Sequence, residues 1–210
     1  NVIKISKNNN SYEIQTSKRL IHTNTVIIAT GAFGNPYIPE IHKNLDKDIF
    51  QIHSSKYKNS TGLPEGKVVV VGSGQSGAQI AEDLLDSGRK VILAVSKCGR
   101  RPRKYRSKDS SWWNYEMGLF DKTVNDVKLE ERWKCSAHTS GAKGGHDINL
   151  IDLAENGLEL CGSIKNCQGN KLFLKDNVYE NVKFSDTYAI NWRKNVDEFI
   201  KNLGDCPKSG

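Results

Sequence analysis

No apolar run in this chain approaches the ~20 residues that a helix needs to cross a bilayer, so a helical membrane protein is excluded and no membrane partner is expected. The first residues show no secretory signal pattern. The five cysteines (Cys98, Cys135, Cys161, Cys167 and Cys206) are an odd, scattered set with no Cys-x-x-Cys, which suits reduced thiols in a cytoplasmic protein rather than a disulfide scaffold. No internal repeat occurs, and the only low-complexity stretch is Asn8-Asn9-Asn10. One further absence is local. No carboxylate lies between Asp86 and Asp109, while Lys97, Arg100, Arg101, Arg103, Lys104, Arg106 and Lys108 carry the whole formal charge of +7.

What the chain has is a strand, a glycine turn and a helix start at Lys67 to Leu85, KVVVVGSGQSGAQIAEDLL. Val68 to Val71 is a β-branched run of the kind that makes a buried parallel strand. Gly72 permits a tight turn out of it, Gly74 lets backbone approach a phosphate, and Gly77 lets the helix pack close to the strand. Ala78, Ile80, Ala81, Leu84 and Leu85 share the helical face that would cover the sheet. Ser87-Gly88 ends the helix, and Lys90 to Val95 is a second buried strand. A helix N-terminus offers unpaired N–H groups and the positive end of a dipole, so Gly72, Ser73, Gly74, Gln75, Ser76 and Gly77 are the candidates for a dinucleotide pyrophosphate. The bland reading is a glycine-rich turn without a ligand.

An NAD site ends its second strand on an acid about 20 residues after the glycines, to hold the ribose 2′-OH. Here Ser96-Lys97 stands there, followed by Arg100 and Arg101. A hydroxyl and guanidinium groups suit a 2′-phosphate, which favours NADPH over NADH. The same basic run could contact nucleic acid. Its position directly after the second strand gives it a local task instead, with the remainder solvated, and nucleic acid is not the expected partner. Cys135, His138 and His146 have a suggestive spacing but no fourth ligand, so no metal is expected. Trp112 and Trp113 read as packing residues before stacking residues, and Asp147 and Asn149 as turn and capping residues before substrate contacts.

Elsewhere, Val2–Ile5 and Tyr12–Thr16 form a hairpin around a polar turn, and Thr25–Ala29 is a buried strand leading into Thr30-Gly31. Asn35 to Pro39 is an extended linker by its prolines. Trp112 to Val127 is expected to be an interrupted helix, Ser140 to Gly145 a loop and Ile148 to Glu155 a short helix. Leu158–Ser163 pairs with Lys171–Leu174, and Ser185 to Leu203 is a helix closed by Gly204.

Three segments resemble a flavin-containing monooxygenase-like FAD/NADPH flavoprotein. Val26 to Pro39, VIIATGAFGNPYIP, resembles the segment joining the FAD domain to the NADPH domain. His53 to Tyr57, HSSKY, resembles the second half of the family's FxGxxxHxxxY fingerprint, whose Phe and Gly would fall at Lys47 and Ile49. GSGQSGAQIAEDL is similar to the NADPH glycine motif. GRRPRKYRSKDSSWWNYEMGLFD and SGAKGGHDINL are similar to bacterial flavoproteins often labelled as involved in K⁺ transport. The resemblance implies an α/β chain: a Rossmann-like NADPH-binding domain at 59–210, with basic loop and helical insertions, and part of a flanking FAD-binding domain with its linker at 1–58. The family's N-terminal FAD glycine motif does not occur in the sequence, so the chain is expected to be an internal segment of a longer protein. The implied activity is hydride transfer from NADPH to FAD, followed by oxygen activation with O₂ and oxidation of a small-molecule substrate. Thr30 and Gly31 would line the cleft between flavin and nicotinamide, and His53 would be either a linker hydrogen bonder or a surface histidine. No residue of this chain is expected to be catalytic in itself. The alternative is a pyridine-nucleotide-sensing regulatory module, for example of K⁺ transport, since a fold does not fix a function.

Overall fold

The chain divides between Tyr37 and Ile38 into two units, Asn1–Tyr37 and Ile38–Gly210, in a computed structural model that describes residues 1–30, 35–131 and 134–204. The first unit is an antiparallel meander of β1 (Val2–Asn8), β2 (Ser11–Thr16) and β3 (Leu20–Thr23). Asn8 pairs with Ser11 across a two-residue turn, where Asn9 takes the left-handed conformation (φ 51°) that asparagine tolerates better than most residues. Ile5, Ile14 and Ile21 line up across the three strands, a cross-strand row that sets the register. The sequence did not suggest β3. It forms because the Thr16 hydroxyl accepts the amides of Lys18 and Arg19 (3.2 and 2.9 Å) and so turns the chain back.

The expectation of a buried strand at Thr25–Ala29 does not hold. Residues 25–30 belong to no strand or helix, and Ile27 and Ile28 are 85% and 67% exposed. An apolar β-branched run becomes a strand only where a neighbour accepts its backbone hydrogen bonds.

The second unit is built on a parallel sheet. β4 (Val68–Val71) leads through the glycine turn into α1 (Gln75–Asp86), and β5 (Val91–Ala94) pairs alongside β4, with Val68 opposite Val91 and Val71 opposite Ala94. The small hairpin of β6 (Lys104–Tyr105) and β7 (Lys108–Asp109) precedes α2 (Ser110–Glu116). α3 (Leu150–Glu155) returns the chain to β8 (Glu159–Cys161), which extends the sheet in the order β4-β5-β8. β9 (Ile164–Gln168) and β10 (Lys171–Leu174) form a separate hairpin, and α4 (Val178–Leu203) closes the unit, ending on left-handed Gly204. This mixture of parallel sheet and helices is the α/β, Rossmann-like class.

Several expectations are corrected. Leu158–Ser163 does not pair with Lys171–Leu174: its strand joins the parallel sheet, because Leu158 and Leu160 pack into the core beneath α1. The helix expected over Trp112 to Val127 stops at Glu116. Gly118 (φ 65°) turns the chain there, with Gly118 N donating to Tyr115 O and Leu119 N to Asn114 O, both at 2.9 Å. α4 begins seven residues before the expected Ser185, at Val178. β4 is buried on one face only: Val70 lies in the core with α1, while Val71, on the alternate face, is 66% exposed.

Two clusters hold this unit. Val70, Ala78, Ala81, Leu84, Val91 and Leu93 pack α1 onto the sheet, joined by Ile148, Leu150 and Leu158. Trp113, Trp192, Val196 and Ile200 pack α2 against α4. Trp113, 1% exposed, donates Nε1–H to Tyr105 O at 2.7 Å, and Trp192 donates to Asn114 Oδ1 at 2.9 Å, so neither indole is left with an unpaired donor. No helix among the described residues is long and apolar enough to cross a membrane.

Candidate nucleotide-binding site

The glycine turn is a close-packed object. Gly72 has φ 89°, a conformation that disfavours any side chain. A Cβ on Gly77 would lie 1.9 Å from Gly72 O, so the first turn of α1 rests directly on the end of β4. At Gly74 the geometry is the opposite: a Cβ there would meet nothing within 4 Å. Gly74 is the N-cap of α1 and makes no side-chain cap, so the amides of the first turn have neither intrahelical partners nor a cap from that residue. Donors, a helix dipole and open space coincide at one point, which is what an anion requires. Ser76 is exposed and borders a shallow groove of about 270 Å³ beside Tyr57, Gln79 and Asp83.

The turn is fixed from below and from the side. Ser73 is wholly buried, and its hydroxyl donates to Ser96 O (3.0 Å) while accepting Ser96 N (2.9 Å). Ser73 N donates to Ser96 Oγ at 3.1 Å. Ser96 therefore joins the tips of β4 and β5. His138, also wholly buried, donates from Nε2 to Ser73 O, a bond that places a proton on Nε2. Burial lowers its pKa, with the Ser73 carbonyl opposing that shift and Arg100 adding to it. Gln75 and Gln79 both donate to Thr139 O, the latter at 3.2 Å, and Thr139 N returns a bond to Gln75 Oε1 at 3.3 Å. The segment 135–140 thus runs beside the turn. Farther along α1, Lys143 pairs with Asp86, and His146 Nε2 lies 2.7 Å from Glu82. His138 and Thr139 carry no local sequence signal for this task, being 60 or more residues from their partners.

The basic run does not form a patch. Arg100 pairs with Asp186 of α4 (2.7 Å), Arg103 with Asp109 (2.7 Å) and Arg106 with Asp197 of α4 (2.8 Å). Tyr105 OH also donates to Asp197 at 2.9 Å. The approach is tight, since a Cβ at Gly99 would lie 2.5 Å from the Tyr188 ring of α4. Lys97 lies over the Phe184 ring at 4.9 Å and Lys108 over Trp112 at 5.1 Å, in cation–π geometry. Arg101 is different: its Nε is buried with no hydrogen-bond partner among the described residues. Of the four residues read as 2′-phosphate candidates, Ser96 is engaged with Ser73 and Arg100 with Asp186, while Lys97 and Arg101 are paired with no carboxylate among the described residues.

Other candidates take structural places. His53 caps the 3-10 turn Ser54–Lys56 by accepting Ser55 N at 3.1 Å. Tyr57 OH donates to Asp83 of α1 at 2.5 Å, and burial with the carboxylate holds its phenol well above the usual range. Asp147 accepts Arg103 N, and Asn149 caps α3 by accepting Ile151 N at 3.1 Å. Cys135, His138 and His146 do not converge, and no metal-ligating cluster occurs among the described residues. Thr30 is exposed and belongs to no strand or helix, and Gly31 lies outside the described residues.

The family model described as pyridine nucleotide-disulphide oxidoreductase matches residues 1–132. The chain is 37% identical over 125 residues to an oxidoreductase named CzcO-like from Geobacillus kaustophilus, covering 59% of this chain and 36% of that protein. It is 39% identical over 118 residues to the CzcO oxidoreductase of Bacillus subtilis, covering 56% of this chain and 34% of that protein. Human dimethylaniline monooxygenase [N-oxide-forming] 4 is 36% identical over 198 residues, 83% of this chain and 32% of that protein. The chain spans about a third of the length of these curated relatives.

Proposed function

The chain belongs to the pyridine nucleotide-disulphide oxidoreductase family, and from that premise we propose that its glycine turn binds the pyrophosphate of NADPH in an FAD-dependent, monooxygenase-like oxidoreductase. The observation that carries the reading is Gly74, which heads α1 without a side-chain cap and opens onto free space where a Cβ would stand. Gly72, Ser73, Gly74, Gln75, Ser76 and Gly77 form the cradle. Within it the first-turn amides would face the anion, Ser73 and Gln75 anchor the turn to the protein, and Gly77 sets its depth.

The donor set fits a dinucleotide phosphate. Lys97 and Arg101 would meet the 2′-phosphate, with Ser96 holding the turn and Arg100 joining only if it leaves Asp186. The described residues offer one glycine cradle, so FAD is carried by the family premise. In this reading residues 1–58 are part of an FAD-binding domain with its linker, and residues 59–210 are the NADPH-binding domain. When bound, NADPH supplies a hydride to FAD for the activation of O₂ and oxidation of a small-molecule substrate. The task of this chain is to bind and orient the nucleotide.

Calorimetric titration with NADP⁺ and NAD⁺ tests this. NADP⁺ should bind at least about tenfold more tightly, a margin of about 1.4 kcal/mol, and Arg101→Ala should remove most of that margin. Equal affinity for both nucleotides, or no binding of either to this chain and to the full-length protein, would overturn the reading.

A further inference from the structure

Two cysteines distant in sequence meet beside the glycine turn. Cys98 Sγ and Cys135 Sγ are 2.8 Å apart. Backbone pairing holds the two segments alongside each other: Arg100 and His138 form a parallel bridge, His138 N donates to Gly99 O at 2.8 Å, and Arg101 N to His138 O at 3.3 Å. Each thiol also faces backbone next to the other cysteine, Cys98 Sγ at 3.4 Å from Ser136 O and Cys135 Sγ at 3.9 Å from Lys97 O. The two differ in access. Cys98 is 2% exposed and Cys135 lies at the surface.

We propose that Cys98 and Cys135 are a reversible dithiol–disulfide site, oxidised by a peroxide, that ties the segment 135–140 to the chain leaving β5. The chemistry balances in two steps. The exposed Cys135 sulfur displaces water from hydrogen peroxide and becomes a sulfenic acid. The Cys98 sulfur then attacks it, the S–O bond breaks, the S–S bond forms, and the departing hydroxide leaves as water with the Cys98 proton. Two thiols lose two electrons and two protons, and one peroxide becomes two waters. The order follows from exposure. Cys135 can meet the oxidant, whereas Cys98 is shielded, its thiol pushed up by burial and by its neighbour. In a reducing compartment the pair stays as thiols until a peroxide arrives. The tied segment is the one that holds Ser73 O through His138 and Gln75 through Thr139, so the bond would fix the support of the turn.

The test is to expose the 210-residue chain to hydrogen peroxide, block free thiols under denaturing conditions, and map a non-reduced digest by mass spectrometry. The expected result is the loss of two of the five thiols and a linked peptide pair carrying Cys98 and Cys135, two hydrogens lighter than its separate halves and reversed by dithiothreitol. Cys135→Ser, a surface change that leaves the core intact, should abolish the link while Cys98 stays a free thiol. Recovery of Cys135 as sulfinic acid with Cys98 still alkylatable, or pairing of Cys135 with any other cysteine, would overturn the proposal.

Discussion

The glycine turn and the basic run leave the tips of adjacent parallel strands, yet they are held in opposite ways. The turn is closed mainly by neighbours in its own strand–helix–strand unit: Gly77 against Gly72, Ser73 against Ser96, with His138 bracing it from outside. The run is taken apart by others. Asp186 and Asp197 of α4 each remove one arginine, and Asp109 removes a third. Crowding of like charge in the sequence therefore does not become crowding in space. Lys97, Arg101, Lys104 and Lys108 are left without a carboxylate among the described residues, and of these Lys97 and Arg101 stand near the start of the run, where it is still close to the turn.

The sharpest way to break this comparison is at the two inner glycines. Gly77→Ala drives a Cβ to within 1.9 Å of a backbone oxygen that cannot move away cheaply, and a loss of about 3 kcal/mol or more is expected in urea unfolding. Gly74→Ala meets open space at ordinary dihedrals (φ −67°, ψ 179°), so stability should change by less than about 1 kcal/mol. Its cost should appear as a loss of about tenfold or more in NADP⁺ affinity, because the methyl would occupy the approach of the phosphate. Equal stability losses in the two variants would mean that the turn is not divided into a packing glycine and a ligand glycine.

Smaller effects are expected along the run. Asp197→Ala leaves Tyr105 OH and Arg106 without their shared acceptor and should lower stability by about 1 kcal/mol. Asp186→Ala removes an ion pair whose carboxylate is 40% exposed, so the loss should stay below about 0.5 kcal/mol. If Arg100 is held away from the nucleotide by Asp186, the same variant should tighten NADP⁺ and leave NAD⁺ unchanged. Calorimetry that finds both unchanged removes Arg100 from the site.

What could be read in the sequence follows the same division. The strand, turn and helix at 67–86 were legible because each step is local: a β-branched run, glycines at fixed offsets, then an apolar face of period 3.6. The partners of the basic run were not legible, since Asp186 and Asp197 lie about 90 residues away in sequence and are chosen by the packing of α4 on Gly99 and Trp113. His138 was weighed only as a metal ligand. Its true neighbour is a carbonyl exposed by the turn itself, a partner that no spacing rule encodes. The run Thr25–Ala29 shows the reverse failure: strand propensity was present, and the neighbouring strand it needs is not found among the described residues.

The two histidines that meet the glycine-turn unit from outside extend the comparison to pH. His146 bonds Glu82, which raises its pKa, with burial and Lys143 working against that. Its contribution is complete below the unfolded value of 6.5 and is lost as pH rises through the higher folded value. His138 is shifted the other way by burial and by Arg100. It stays neutral in the fold while the unfolded chain takes up a proton, so its contribution is complete above 6.5 and is lost as pH falls through the lower folded value. Stability from this pair should peak near 6.5 and decline on both sides. Urea unfolding between about pH 5 and pH 8 checks this. His146→Gln should flatten the alkaline decline and leave the acid side alone, and His138→Gln should flatten the acid side. An alkaline decline that survives in His146→Gln would mean that the Glu82 bond does not hold the proton, and that the outer brace on α1 is neutral packing rather than charge.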